Sequence, residues 1–309
     1  MFRFRKKRCK LVYRSEYIAG LRTHNSRQSF DVMKFKKIRD QLIKDHLIKR
    51  KDVLRAPFIS TEDMLLIHTR DYLDQLQNPL IVGEILNMDS INPWDHYIFE
   101  YFRYIAGGTL LATEYAIGHN FTVFNLGGGF HHAHSDRGEG FCLINDVAIA
   151  VQKTLLGKKI ERVLIIDLDY HQGNGNLLLF KNNENVFTFS MHANNWVAVE
   201  GKQNNIDIEL PQGIEDELYL KILKSELSRV YKLFEPNLVV YIAGSDPYQD
   251  DVLGDFQISE EGMLNRDKLV YLTARYPKIP LVIVAGGGYG PASWKIYYNF
   301  IKWVIKKGK

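Results

Sequence analysis

Four apolar runs, each too short for a helix, punctuate the chain from residue 121 onward: Phe121–Asn125, Val163–Ile166, Leu238–Ile242 and Leu281–Val284. Continuous runs of this length, rich in Val and Ile, read as strands buried on both faces, which is the pattern of parallel sheet. Around them the period changes to that of helices. Phe35, Ile38 and Leu42 share one face of a helical region over about Asp31 to Arg50. A second helix starts at Ser60, with Asp63 as its capping-box partner, and continues through Leu66 and Tyr72. Asn78 to about Asp95, with Pro79, Gly83 and Pro93, reads as an irregular surface loop. Asn145–Leu156 forms a helix closed near Gly157. The longest clear helix covers about Glu215 to Phe234, with Leu220, Leu223, Leu227, Val230 and Phe234 as its stripe and Pro236 as its stop. Two more run from Ser259 to before Pro277 and from about Pro291 to Lys306. Strand and helix alternate without a repeat or a linker, so the expected fold is α/β: one domain, a parallel β-sheet covered by helices on both faces.

Composition changes this picture little. The 309 residues are 46% apolar and 25% charged, ordinary for a globular protein. No apolar run approaches the ~20 residues of a membrane span, and no apolar segment follows the basic start as in a secretory signal. Cys9 and Cys142 make no disulfide or zinc-knuckle spacing, so a reducing, cytoplasmic setting is expected. The net charge of +4 comes from the ends. Arg3, Arg5, Lys6, Lys7, Arg8 and Lys10 lie at one end and Lys302, Lys306, Lys307 and Lys309 at the other. Without those ten cations, 30 basic residues face 36 acidic ones. A mildly acidic body suits a basic partner and argues against a nucleic-acid groove. Residues 1–10 are read as a basic tail, with Arg5–Lys10 a weak nuclear address in a eukaryote, and residues 11–309 as the domain.

The chemistry sits where the four runs end. In an open parallel sheet, sites form outside the carboxyl ends of the strands. Here those ends carry Gly127-Gly128-Gly129-Phe130-His131-His132, Asp167-Leu168-Asp169-Tyr170-His171, Gly244-Ser245-Asp246 and Gly286-Gly287-Gly288-Tyr289. Asp169 and His171 share a face while the chain stays extended. With Asp246 they make three protein ligands, the number that a catalytic zinc keeps beside an open position. Taken alone, an Asp-x-His pair also fits a capped turn, adjacent histidines fit a polar loop, and Tyr289 fits the anchor of a glycine turn. Together the residues suit metal-assisted hydrolysis of an amide.

The chain resembles the histone deacetylase superfamily, zinc-dependent acyl-lysine hydrolases of the arginase/deacetylase fold. The matching stretches are NLGGGFHHAHSDRGEGFCLINDVAIA (Asn125–Ala150), IIDLDYHQGNGN (Ile165–Asn176), VVYIAGSDPYQDDVLG (Val239–Gly254) and AGGGYG (Ala285–Gly290). SDRGEGFC and HQGNGN look closest to the class IV members and their bacterial relatives. The resemblance implies that Asp169, His171 and Asp246 bind Zn2+, or Fe2+ in its place. It implies that His131 and His132 are the tandem acid/base histidines and that Tyr289 is the catalytic tyrosine. Asp167 would orient the first histidine, and Asn174 stands where class I members have the acid that orients the second. Gly140 and Phe141 would flank the acyl-lysine. Asp167, Asp169, His171, Ser190 and Met191 match a K+ site of related enzymes. One departure is His192–Ala198, which lacks the family's aromatic-proline pattern. Trp196 either lines the tunnel there or packs beneath a loop.

The expected function is removal of acetyl or longer acyl groups from lysines of proteins or peptides. Two alternatives stand beside it: deacetylation of small amines such as acetylpolyamines, and a non-catalytic acyl-lysine binder. Arginase-like dinuclear hydrolysis would need further ligands that the sequence does not show.

Overall fold

The computed structural model describes residues 9–18, 31–88, 97–198 and 204–307. The four apolar runs are strands, and four more join them among the described residues. In chain order they are β1 (Cys9–Val12), β2 (Val53–Leu54), β3 (Thr122–Asn125), β4 (Val163–Asp167), β5 (Val186–His192), β6 (Asn205–Glu209), β7 (Leu238–Ile242) and β8 (Leu281–Val284). All pair in parallel in one sheet, in the order β2-β1-β3-β8-β7-β4-β5-β6. Every residue of β3, β4, β5, β7 and β8 is buried, as expected of strands covered on both faces. The helices Tyr97–His119 and Asp146–Leu156 pack together as one layer. Lys34–Lys44, Ser293–Lys307, Glu260–Arg275 and Asp216–Phe234 form the other, each against the next.

This order decides where the site lies. β3, β8, β7 and β4 are consecutive in the sheet, so the four chemistry-bearing endings emerge side by side at one edge.

Several helix starts fall where expected and are capped by side chains, although the Asp63 carboxylate meets Lys153 Nζ instead of completing a capping box with Ser60. Ser60 Oγ accepts from Asp63 N at 3.0 Å, Asn145 Oδ1 from Ala148 N at 2.9 Å, and Ser259 Oγ from Gly262 N at 3.0 Å. The helix Asp216–Phe234 ends on Glu235 at φ 48°, in the left-handed region, before Pro236. Others need correction. The helix from Ser60 does not run through to Tyr72: Thr61–Met64 and Arg70–Gln75 are separate, because Thr69 caps a second start. The early helix is Lys34–Lys44, with His46 at φ 55° just beyond its end. The stripe of Asp216–Phe234 buries Tyr219, while Leu220 is half-buried. The stretch read as a loop from Asn78 contains the helix Pro79–Ile85, because Pro79 takes the first helical position and Asn78 caps it. Residues 89–96 of that stretch, and 1–8 of the basic tail, lie outside the described residues. Cys9 and Lys10, read with the tail, belong to β1.

Candidate active site

The carboxyl end of β4 places Asp167 in the sheet and Asp169 and His171 just beyond it. Asp246 follows β7. His171 Nδ1 lies 3.1 Å from Asp169 Oδ1 and 3.1 Å from Asp246 Oδ2. Ligand atoms of the three residues all fall within 4.8 Å of one another. The outer carboxylate oxygens are held by backbone donors: Asp169 Oδ2 accepts from Gly287 N at 2.7 Å and Asp246 Oδ1 from Tyr170 N at 3.0 Å. Asp169 Oδ1, which also accepts from His171 N at 3.0 Å, Asp246 Oδ2 and the imidazole nitrogen face one another closely enough to meet at one ion.

Glycines leave room for this. A Cβ on Gly287 would come within 2.3 Å of Asp246 Oδ2, and one on Gly244 within 2.4 Å of Asp169 Oδ2. Arg266, fully buried on Glu260–Arg275, ties the two strand ends together by donating to Leu168 O at 3.1 Å and Gly244 O at 2.7 Å. Two adjacent buried carboxylates are costly without a cation. Burial and the charge of Asp169 push the Asp246 carboxyl up to about 7. Burial opposes charge on His171, but its two carboxylate partners outweigh that and raise it to about 10. Donor set, convergence and electrostatic strain all fit a divalent metal ion held by two carboxylates and one imidazole.

The glycine run after β3 delivers the paired histidines, their rings 4.1 Å apart. Asp146 fixes the run, accepting from Phe130 N at 2.8 Å and Gly129 N at 3.1 Å. His131 Nδ1 meets Asp167 Oδ2 at 2.7 Å, and His132 Nδ1 meets Asn174 Oδ1 at 2.7 Å. Their environments split them. Burial disfavours charge on both, but Asp167 and Asp169 overcome it at His131 and lift it to about 9. His132 has no carboxylate neighbour of that kind; burial and the nearby charge of His131 push it well below its ordinary value. Paired groups driven apart in this way are the usual mark of acid/base partners.

Tyr289 stands on the loop after β8, its ring 6.4 Å from that of His171 and 6.2 Å from that of Phe141. Burial and the charges of Asp246 and Asp169 keep its phenol protonated. The loop is pinned from three sides. Asp251 Oδ2 accepts from Tyr289 N at 2.7 Å and Gly290 N at 3.0 Å, Tyr297 Oη donates to Gly287 O at 2.7 Å, and buried Lys34 Nζ donates to Gly288 O at 3.0 Å.

Gly140 and Phe141 both take positive φ, 54° and 66°. Only glycine fits the first position, since a Cβ there would stand 2.3 Å from His132 Cδ2. Trp196 stacks on His132, centroids 4.2 Å apart and planes within 5°, and is 44% exposed. Gln172 Oε1 fixes it by accepting from Trp196 N at 2.7 Å. Trp196 thus lies against the catalytic-type histidine instead of beneath a loop. Ser190 is the β5 partner of Asp167, with Met191 next along the strand.

Residues 28–300 match the histone deacetylase domain family. The chain belongs to the histone deacetylase family. The deacetylase-family chain is 31% identical over 289 residues to an uncharacterized protein of Picosynechococcus sp., covering 94% of this chain and 95% of that one. It is 29% identical over 313 residues to histone deacetylase 2 of Arabidopsis thaliana, covering 96% and 79%. A crystal structure of an HDAC homologue complexed with SAHA superposes with a TM-score of 0.77 at 27% identity, over 96% of this chain and 82% of that one. The chain is therefore a hydrolase of the histone deacetylase family with the fold of that family.

Sequence reasoning missed Lys34, Asp146, Asp251 and Arg266. Lys34 left a signal: it lies four and eight residues before Ile38 and Leu42, a lysine on the apolar stripe. Asp251 and Arg266 left none, because the backbone groups they hold lie far away in sequence, in the loops after β8, β4 and β7; Arg266 also pairs with its neighbour Asp267.

Proposed function

We propose that this histone deacetylase-family hydrolase is a one-metal lysine deacylase, acting on acetyl or longer acyl groups of protein or peptide lysines. The observation that carries this reading is the convergence of Asp169, His171 and Asp246 beside an electrostatically split histidine pair and a phenol. Asp169, His171 and Asp246 would hold one Zn2+ or Fe2+. Bound there, the ion would polarise the scissile carbonyl and bring the pKa of a water to about 7. His132, neutral and with Nδ1 engaged by Asn174, takes the water proton at Nε2. Tyr289 donates its phenolic hydrogen to the oxygen that becomes negative. A protonated histidine of the pair then gives a proton to the departing lysine amine, which is a poor leaving group without one. Asp167 keeps His131 oriented and favours its charged form. Phe141 and Trp196 would form walls for the lysine chain.

The K+ assignment also belongs to this reading. Asp167 and Ser190 border a cavity of about 10 Å³ that Asn176 also lines. Among the described residues, both polar side-chain atoms of buried Asn176 lack a hydrogen-bond partner, so the space suits one small polar guest.

A second feature bears on acyl length. A cavity of about 100 Å³ is lined by His131, His132, Asp169 and Tyr289 and by Phe35, Leu86, Met88, Tyr101, Phe102 and Phe130. That is room for several water-sized groups, and its wall is apolar. It supports acyl chains longer than acetyl. Leu86→Phe, which fills the cavity, is expected to lower the decanoyl-to-acetyl ratio of kcat/KM at least about tenfold; an unchanged ratio would show that the chain does not enter this space. Gly140→Ala is expected to displace the His132 ring and lower kcat about a hundredfold, and wild-type kcat in that variant would separate Gly140 from catalysis. The reading itself is tested with acetyl-, decanoyl- and myristoyl-lysine peptides and acetylspermidine, with and without chelator. Turnover confined to acetylspermidine would favour the small-amine reading. Tight peptide binding without turnover would favour a non-catalytic binder.

A further inference from the structure

His132 lacks the direct carboxylate partner that His131 has in Asp167, yet its surroundings contain one carboxylate at one remove. Asn174 lies between His132 and Glu139. Its Nδ2 donates to Glu139 Oε1 and lies 3.3 Å from His134 Nε2, while its Oδ1 lies 2.7 Å from His132 Nδ1. We infer that Glu139 is a positioning residue that sets the tautomer of His132 through Asn174. The inference rests on the reading of His132 as the base.

The logic is one of donors and acceptors. A carboxylate only accepts, so the amide nitrogen of Asn174 must face Glu139. Its oxygen must then face His132. An amide oxygen also only accepts, so the hydrogen of the neutral imidazole sits on Nδ1 and Nε2 is left bare. With the amide reversed, two oxygens would oppose each other at Glu139, and His132 would carry its hydrogen on Nε2, where it could take no proton from water. The acidic end of the chain is therefore what keeps the reactive nitrogen available.

Glu139 is itself held for this task. Its Oε1 lies 3.2 Å from His134 Nε2, and its Oε2 3.6 Å from Arg137 Nε. Its carbonyl accepts from Cys142 N at 2.9 Å. It stands between two glycines with no room for a side chain: a Cβ on Gly138 would meet Tyr72 Oη at 2.6 Å, and one on Gly140 the His132 ring at 2.3 Å. Glu139 faces a cleft bounded by Tyr72, Glu84 and Arg137, outside the apolar cavity, so acyl substrate does not displace it.

The test uses the full zinc-loaded chain and three variants: Glu139→Gln, Glu139→Ala and the exchange Asn174→Asp with Glu139→Gln. In the exchange, the carboxylate introduced at position 174 would accept from His132 Nδ1–H while the amide introduced at position 139 donates to it, which restores the polarity of the chain. Glu139→Gln and Glu139→Ala are expected to lower kcat about tenfold or more, the usual effect of losing an outer partner, with KM and zinc content unchanged. The exchange is expected to recover kcat to within about threefold of wild type, the single losses being coupled and not additive. Nitrogen-15 NMR of the imidazoles, with His132→Ala for assignment, reads the tautomer without any turnover. Protonated Nδ1 and bare Nε2 at His132 are expected in wild type, with a mixture in both single variants. An Nε2–H tautomer in wild type, or an unaltered tautomer in both single variants, would overturn the inference. If wild type shows the Nδ1–H tautomer and both single variants a mixture, but the protein hydrolyses no acyl-lysine, the deacylase reading fails and the Glu139 assignment stands.

Discussion

Asp246→Ala is expected to yield a folded protein that holds no stoichiometric metal and hydrolyses acyl-lysine at least about a thousandfold more slowly, the scale of the several kcal/mol that a Lewis acid supplies. Asp246 is fully buried at the end of β7, and its Oδ2 faces the same nitrogen of His171 that Asp169 Oδ1 faces. Its removal leaves one carboxylate and one imidazole, short of the three protein ligands of a catalytic site. The strand ends have other ties, including Arg266 to Leu168 O and Gly244 O, so the fold is expected to persist. Asp246→Asn, which keeps the shape and can still accept from Tyr170 N, is expected to show the same loss. Metal analysis, circular dichroism and peptide turnover check the pair. Wild-type turnover in either variant would remove Asp246 from the centre.

Tyr289→Phe is expected to lower kcat about a hundred- to a thousandfold, as loss of one oxyanion donor does, while KM and metal content stay at wild-type values. The separation is expected because the loop's backbone is held by other residues. Asp251 holds the backbone at Tyr289 and Gly290, Lys34 holds Gly288, and Tyr297 holds Gly287. Only the hydroxyl is lost, and with it an interaction made in the transition state. Steady-state kinetics on one peptide across both proteins reads this directly, and an unchanged kcat would dismiss the proposed role.

The parallel α/β class was legible in the four buried runs, and the candidate site residues could be picked out because they lie on short, continuous motifs. His131-His132 after three glycines, Asp169-x-His171 and Gly287-Gly288-Tyr289 each announce themselves within a few positions. The sheet then brings them together because β3, β8, β7 and β4 are neighbours. Four strands were missed: β1 was read with the basic tail, β5 is fully buried but broken by Thr188, Ser190 and His192, and two have little local signal. β2 is two residues long, and β6 is only partly buried at the sheet edge. Tyr97–His119 escaped for a different reason. Its faces are nearly uniform, so no 3.6-residue stripe marks it. Gly107 and Gly108 are there for contact: a Cβ on Gly107 would stand 2.1 Å from Pro57 O, and one on Gly108 1.9 Å from Tyr17 Oη. Glu139 was invisible because its meaning depends on Asn174, 35 positions later.

Metal titration of turnover tests the mononuclear deacylase most directly. The purified chain, stripped by chelator, is expected to be inactive on an acyl-lysine peptide. Zinc added back should restore rate linearly to a break at about one equivalent per chain, matching the single convergence point of Asp169, His171 and Asp246. Turnover that survives complete metal removal, or a break at about two equivalents, would contradict a one-metal centre.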